Sequence, residues 1–144
     1  PCGRDTAAAT GLAAVIVQQK DAAGVMVVLP ADHYIADEDR FIEVLRGAVD
    51  AAEENHTVTI GITANRPETG FGYIARGQYY QNFAGIPSYH VERFTEKPGR
   101  QQAVEFLESG NYFWNSGIYV WRADVIRHLI GEHLPSLAEG LERL

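Results

Sequence analysis

The sequence predicts an α/β fold in which helices flank a mixed β-sheet. Residues 25–29 form a continuous apolar run that stops at Pro30, which is typical of a central parallel strand covered on both faces. Residues 37–55 follow with an acidic first turn and an apolar face of helical period, and residues 57–63 predict a second strand. Strand, helix and strand at this spacing predict a right-handed βαβ unit.

Further helices and strands are expected on both sides of this unit. Before it, an alanine-rich stretch predicts a helix that Asp5 or Thr6 caps and that Asp21 and Gly24 end. After it, two aromatic-rich, extended segments are expected to add strands to the parallel core, at residues 73–80 and 89–96. The remaining elements are a short helix over residues 98–110, a strand over 117–122 and helices over 123–130 and 135–144.

Length and charge limit the kind of protein that this chain belongs to. Its 144 residues are 46% hydrophobic and 22% charged, and no linker or repeat divides them, so we expect a single domain. The 12 basic residues are outnumbered by 19 acidic ones, which disfavours nucleic-acid binding. One cysteine, Cys2, forms no internal disulfide. The apolar runs are too short for a membrane span and no signal-peptide pattern occurs, so we expect a cytoplasmic protein.

Asp32 is the first candidate functional residue, because it follows the apolar strand directly. Open α/β sheets bind their ligands at the carboxyl ends of strands, and a carboxylate there suits Mg²⁺, which prefers oxygen ligands. An aspartate in a turn after a strand is equally typical of this position, and position alone leaves both roles open. The neighbouring His33 is interpreted as a solvent-facing loop residue.

Three other positions carry polar or glycine patterns that would each suit contact with a ligand. Lys97, between Glu96 and Pro98, is placed either to contact a phosphate or to form a surface ion pair. The Gly70-Phe71-Gly72 segment permits a close backbone approach to a ligand or forms an ordinary tight turn. Asn115 precedes a strand, where its amide either contacts sugar hydroxyls or forms a turn. Motifs for a catalytic zinc, a phosphate-binding P-loop or a nucleophilic serine do not occur.

Five segments in chain order resemble the sugar-1-phosphate nucleotidyltransferases, most closely the branch that uses GTP and mannose 1-phosphate. They are PCGRDTA at residues 1–7, LPADH at 29–33, RPETGFGYI at 66–74, FTEKP at 94–98 and YFWNSGIY at 112–119. The resemblance covers essentially the whole chain. It implies a Rossmann-like mixed sheet of nucleotidyltransferase type, incomplete here, with residues 1–144 as the central part of a single catalytic domain.

The resemblance also implies a role for each matching residue. Asp32 would bind the catalytic Mg²⁺, and Lys97 would contact the sugar phosphate. Glu96 and Asn115 would hydrogen-bond mannose hydroxyls, and the substrate-binding set is Gly72, Tyr73, Glu96 and Asn115. The guanine nucleotide would lie near the loop formed by Arg4, Asp5 and Thr6. In-line attack of one phosphate on another depends mainly on positioning and charge neutralisation, which these residue types supply.

The chain departs from the family pattern at several points. Asp5 stands where the family usually has Asn, and Phe71 stands where Tyr is more usual. The glycine-rich opening signature and a second acidic metal ligand would lie before Pro1 and after Leu144. We therefore expect the chain alone to fold without catalysing, and to self-associate, with a homo-oligomer as one form, through an exposed flank of the strand at residues 25–29. The alternatives are the same chemistry with another sugar or nucleotide, or a non-catalytic sugar-phosphate-binding module.

Overall fold

The computed structural model describes residues 5–143 and confirms the α/β class. Its elements within that range are α1 Asp5–Lys20, β1 Val25–Val28, α2 Glu38–Glu53, β2 Val58–Thr63, β3 Tyr73–Phe83, β4 Ile86–Thr95, α3 Arg100–Ser109, β5 Tyr112–Arg122, α4 Ala123–His133 and α5 Pro135–Leu141. In this part of the chain no helix has the length and apolar character that crossing a membrane requires.

The chain divides into two compact units. The first comprises the described parts of Pro1–Leu29, Ala48–Val58 and Tyr119–Leu144, and the second comprises Pro30–Gly47 and Thr59–Ile118. Strand β5 contributes its last four residues, Tyr119–Arg122, to the first unit and its first seven, Tyr112–Ile118, to the second. That residues 1–144 belong to a single catalytic domain stays a prediction.

The first unit is built around the pairing of β1 with Tyr119–Arg122 of β5. The two strands are antiparallel, with Val25 opposite Arg122 and Val28 opposite Tyr119. Alanine side chains on the helices pack against this ladder in two buried clusters. One cluster contains Ala14, Met26 and Ala123, and the other contains Ala48, Ala52 and Val120.

The prediction of a parallel β1 covered on both faces is wrong. β1 pairs antiparallel with β5, and the Val27 side chain is 39% exposed. Among residues 5–143, β5 is the strand that pairs with β1, and β2 also pairs with β5, so the predicted βαβ unit lacks adjacent parallel strands. An apolar run predicts a buried strand. It does not predict the direction of the neighbouring strand, because the residues that pair with β1 lie about 90 positions further along the chain. Self-association through β1 stays a prediction.

The second unit contains a long hairpin formed by β3 and β4. The turn lies at Ala84 and Gly85, whose φ angles of 48° and 81° are the left-handed values that a two-residue hairpin turn requires. The two aromatic-rich segments predicted as strands are therefore confirmed. Helix α3 packs Ala103 and Phe106 against Tyr73 and Trp114, and this cluster is the core of the unit.

The register of β3 sets the geometry at its beginning. Tyr73 lies opposite Thr95 of β4 and also opposite Trp114 of β5. Because both pairings are antiparallel, the residue before Tyr73 is brought next to the residues that follow Thr95 and Trp114. Those three residues are Gly72, Glu96 and Asn115.

Candidate functional site

Gly72, Glu96 and Asn115 form the centre of the candidate site. The backbone N–H of Asn115 donates to the carbonyl oxygen of Gly72 at 2.8 Å. A Cβ on residue 72 would lie 2.7 Å from Glu96 Oε2 and 3.5 Å from Asn115 Cβ. The glycine therefore makes room for the Glu96 carboxylate, and the structure brings together three residues that the sequence analysis selected separately.

Asn115 is held in a defined orientation by donors on two strands. Its Oδ1 accepts hydrogen bonds from Thr59 Oγ1 and from the Gly117 backbone N–H, each at 3.2 Å. The next residue, the buried Ser116, donates from Oγ to the Ile60 carbonyl at 2.6 Å. Asn115 is thus half-buried in a strand, and the alternative interpretation as a simple turn residue is wrong.

Lys97 occupies a strained backbone conformation beside this centre. Its φ of 41° lies in the left-handed region, which is costly for a residue with a side chain and is found preferentially at functional positions. Its Nζ lies 3.8 Å from Glu96 Oε1, and both side chains are about two-thirds exposed, at 66% and 71%. An ion pair this exposed contributes little to stability, so both sequence interpretations of Lys97 are compatible with the structure.

Asp32 lies in a turn after β1 and is exposed to solvent, as is His33. The turn approaches the Asn115 segment through Pro30, whose Cγ would be 3.4 Å from a Cβ on Gly117. Within residues 5–143 no three His, Cys, Asp or Glu side chains are grouped to hold a metal ion. Asp32 therefore offers a single carboxylate, which fits a cation that takes its other ligands from water and substrate phosphates.

The Tyr73 side chain belongs to the core of the second unit. It is fully buried, its ring lies 5.3 Å from that of Phe106, and its hydroxyl donates to the Glu68 carbonyl at 2.9 Å. The prediction placed Tyr73 with Gly72 in the substrate-binding set, but neighbouring strand residues point to opposite faces of a sheet. Because the ring is buried in the core, a contact between Tyr73 and a substrate stays a prediction.

The predicted nucleotide loop is described only in part. Arg4 lies outside the described residues. Helix α1 begins at Asp5, so Thr6 stands inside its first turn, exposed, rather than at the cap position. Both residues belong to the first unit, and their role toward a nucleotide stays a prediction.

The residues that shape the loop before Gly72 were not predicted from the sequence. The Glu68 carboxylate accepts hydrogen bonds from the backbone N–H groups of Thr69 at 3.0 Å and Gly70 at 3.1 Å. The Gly70 hydrogen bond, above all, holds the pKa of Glu68 below its ordinary value, and the nearby Arg66 guanidinium acts in the same direction. An acidic residue two positions before a glycine was the available signal for this turn.

The same loop folds onto Trp114. The Arg66 guanidinium carbon lies 5.0 Å from the centre of the indole ring, and Phe71 meets that ring edge-on at 5.4 Å. Phe71 therefore has a packing role, for which the hydroxyl of the more usual tyrosine is not needed. Since Trp114 is next to Asn115 in β5, the loop packs against the same strand segment that carries the candidate site.

An α/β fold that places an amide, a carboxylate and a lysine around a close-approach glycine has the polar groups that a phosphorylated sugar needs. The chain belongs to the nucleotidyl transferase family, whose sequence profile matches residues 1–142. Nucleotidyl transferases generally use divalent metal ions.

Several curated relatives share one name. A mannose-1-phosphate guanylyltransferase from Klebsiella pneumoniae is 42% identical over 142 residues, which cover 99% of this chain and 30% of that protein. One from Salmonella typhimurium is 43% identical over 145 residues, with the same coverage. The chain thus spans about a third of the length of the curated relatives that it matches.

Two solved structures are also similar. One, described as mannose-1-phosphate geranyltransferase from Thermus thermophilus, has a TM-score of 0.84 and is 38% identical. The match covers 99% of this chain and 41% of that chain. The other, described as mannose-6-phosphate isomerase from Helicobacter pylori, has a TM-score of 0.83 and is 32% identical. The match covers 99% of this chain and 51% of that chain.

Substituting Gly72→Ala is expected to move the Glu96 carboxylate without unfolding the chain. The added Cβ would lie 2.7 Å from the far end of a flexible side chain, which turns aside at little cost, so the urea midpoint should stay close to that of the parent. Gly70→Ala is the matched control, because its Cβ would be at an ordinary 3.5 Å from Glu68. The ¹³C signal of the Glu96 carboxyl should shift in Gly72→Ala alone; an unchanged signal would show that the close approach is not formed.

The loop supported by Glu68 is expected to loosen in acid. Because folding lowers the pKa of Glu68, the stabilisation it provides is complete above its ordinary pKa of 4.5 and is lost as the pH falls through the lowered value. Trp114 reports this change by fluorescence once the second tryptophan is removed as Trp121→Phe. Adding Glu68→Gln to that background should abolish the acid transition. Identical titrations with and without Glu68 would contradict the assignment.

Proposed function

We propose that the protein carrying this chain transfers GMP from GTP to mannose 1-phosphate, yielding GDP-mannose and pyrophosphate. The observation that carries the proposal is the antiparallel register that brings Gly72, Glu96 and Asn115 into contact, with Lys97 adjacent. The names of the relatives support the choice of substrates. The reaction is expected in the cytoplasm, since both substrates are multiply charged and charged groups enter a bilayer at high cost.

Glu96 and Asn115 recognise the sugar in this proposal. A carboxylate accepts hydrogen bonds and an amide NH₂ group donates them, so the pair distinguishes hydroxyls by their geometry. The two residues flank Gly72, where the lack of a side chain lets the sugar ring approach the backbone. Because strand register brings the backbones of the three residues together, the positions from which the recognising groups extend are fixed before the sugar binds.

Lys97 neutralises the phosphate of mannose 1-phosphate. The chain has a formal net charge of −7, so two anionic substrates require local cations. The strained backbone at Lys97 holds the start of its side chain in one direction, and Glu96 lies close enough to steer the ammonium group. Lys97 orients one phosphate oxygen toward the α-phosphorus of GTP.

Asp32 supplies one carboxylate ligand for Mg²⁺, the divalent ion that we propose. Bound there, the ion would neutralise charge on the triphosphate and favour departure of pyrophosphate. An oxygen of the sugar phosphate forms a bond to the α-phosphorus, and the bond from that phosphorus to the bridging oxygen breaks. The electron pair of the broken bond leaves with pyrophosphate. Arg4, Asp5 and Thr6 are proposed to lie near the guanine nucleotide.

Asp32→Asn is expected to lower turnover by roughly two orders of magnitude in the complete protein, because the substitution removes the charge of a metal ligand and keeps its shape. Asp39→Asn, at another exposed aspartate in the first turn of α2, is the matched control. Turnover is measured as pyrophosphate release from GTP and mannose 1-phosphate. Near-normal turnover of Asp32→Asn at saturating Mg²⁺ would make Asp32 a turn residue only.

Asn115→Ala is expected to raise KM for mannose 1-phosphate much more than KM for GTP. The loss should be about 1–3 kcal/mol, since a sugar hydroxyl is left unpaired in the site. Asn82→Ala, at the far end of the β3–β4 hairpin, is the control and should leave both KM values unchanged. Equal increases in KM for the two substrates would indicate that Asn115 only maintains the fold. If the parent protein bound mannose 1-phosphate without any turnover, the result would favour a non-catalytic binding module.

A further inference from the structure

We infer that Thr59 is a positioning residue for sugar recognition, because its hydroxyl ties the Asn115 amide, whose orientation the Gly117 N–H fixes, to a second strand. The inference deepens the proposed function and rests on it for the identity of the ligand. The geometry that supports it lies entirely in the second unit, where β2 meets β5.

The identity of the atoms in the Asn115 side chain follows from its neighbours. The backbone N–H of Gly117 only donates, so the atom of Asn115 that lies 3.2 Å from it must be the oxygen. Thr59 Oγ1 lies 3.2 Å from the same oxygen and therefore donates to it. Rotating the amide by 180° would direct an NH₂ group at the Gly117 N–H and lose that hydrogen bond, and the Thr59 hydroxyl would then accept instead of donating.

Of these two donors, Thr59 is the one that anchors the amide to another element. Gly117 is two residues from Asn115 on the same strand, so that hydrogen bond moves with the strand. Thr59 is 56 residues away, on β2. Its hydrogen bond therefore fixes the side chain relative to a second strand, as a local contact cannot.

The contact between β2 and β5 is close enough to hold this hydrogen bond. A Cβ on Gly61 would lie 2.9 Å from Phe113 Cβ, so only glycine permits the approach at that position. The Ser116 hydroxyl donates to the Ile60 carbonyl at 2.6 Å, directly beside the Thr59–Asn115 bond. Two successive residues of β5, Asn115 and Ser116, thus form side-chain hydrogen bonds to β2.

The consequence for recognition is preorganisation of a donor. With Oδ1 committed to Thr59 and Gly117, the NH₂ group is on the opposite arm of the amide and keeps a fixed direction. A side chain that must be ordered when the ligand binds lowers affinity, and here the ordering precedes binding. We expect the missing hydroxyl of Thr59→Val to raise KM for mannose 1-phosphate roughly fivefold, by the cost of ordering one side chain.

The test compares Thr59→Val, Thr59→Ser and Thr63→Val in the complete protein. Valine keeps the shape and strand preference of threonine without the hydroxyl, serine restores the hydroxyl, and Thr63 is an exposed control on the same strand. Thr59→Val should raise KM for mannose 1-phosphate and leave KM for GTP unchanged, and the other two variants should match the parent. A parallel rise in both KM values, or a failure of serine to rescue, would overturn the positioning role.

A second measurement separates this inference from the proposed function. The side-chain NH₂ protons of Asn115 should give one sharp pair of NMR signals in the parent and in Thr59→Ser, and shifted or broadened signals in Thr59→Val. An unchanged pair in Thr59→Val overturns the inference whatever the substrate is. If instead Asn115→Ala leaves KM for mannose 1-phosphate unaltered, the proposed sugar site fails, while the NMR signals still decide whether Thr59 orients the amide.

Two further variants guard against misfolding and indirect effects. If Thr59→Val does not fold, Thr59→Cys takes its place, since a thiol is a weaker donor of similar size, and it should show the same selective rise in KM. Thr59→Val added to Asn115→Ala should raise KM no further, because the group that Thr59 orients is already absent. An additional rise in the double variant would contradict action through Asn115.

Discussion

The register of β3 between β4 and β5 is the constraint on which the candidate site depends. Tyr73 has a partner on each side, and the antiparallel direction of both ladders carries the next residues into contact. A slip of one residue on either side would exchange the faces of every side chain beyond it. The site would then lose the Gly72–Asn115 hydrogen bond at the same time as the core lost the Tyr73 ring.

Core and site are coupled because they alternate along the same strands. Tyr73 and Trp114 point into the cluster closed by helix α3, and the adjoining Gly72 and Asn115 serve the candidate site. The burial of two large aromatic rings stabilises the register by an amount that polar contacts at a partly exposed site would not match. Apolar packing therefore supplies the rigidity with which the polar groups are presented.

Electrostatic features of the site differ in how firmly they are held. The Glu68 carboxylate is fixed by two backbone N–H groups, and it organises the loop that leads to Gly72. The ion pair between Glu96 and Lys97 is long and exposed, so its members exchange partners at little cost when an anion arrives. The loop before Gly72 is therefore held more firmly than the Lys97 ammonium group.

Local patterns in the sequence were sufficient for the α/β class and for most of the helices and strands, and together with the family motifs they selected Gly72, Glu96, Lys97 and Asn115. These features follow from burial period, turn chemistry and motif, which are properties of neighbouring residues. That these residues and Asp32 belong to the same compact unit could not be read from the motifs.

Tertiary structure alone decided the features that depend on distant residues. The antiparallel pairing of β1, the burial of Tyr73 and the hydrogen bond from Thr59 to Asn115 each require knowing which strand lies alongside another. A threonine in a strand sequence carries no sign of the amide it will meet 56 residues later, because the partner is chosen by sheet register and not by local preference.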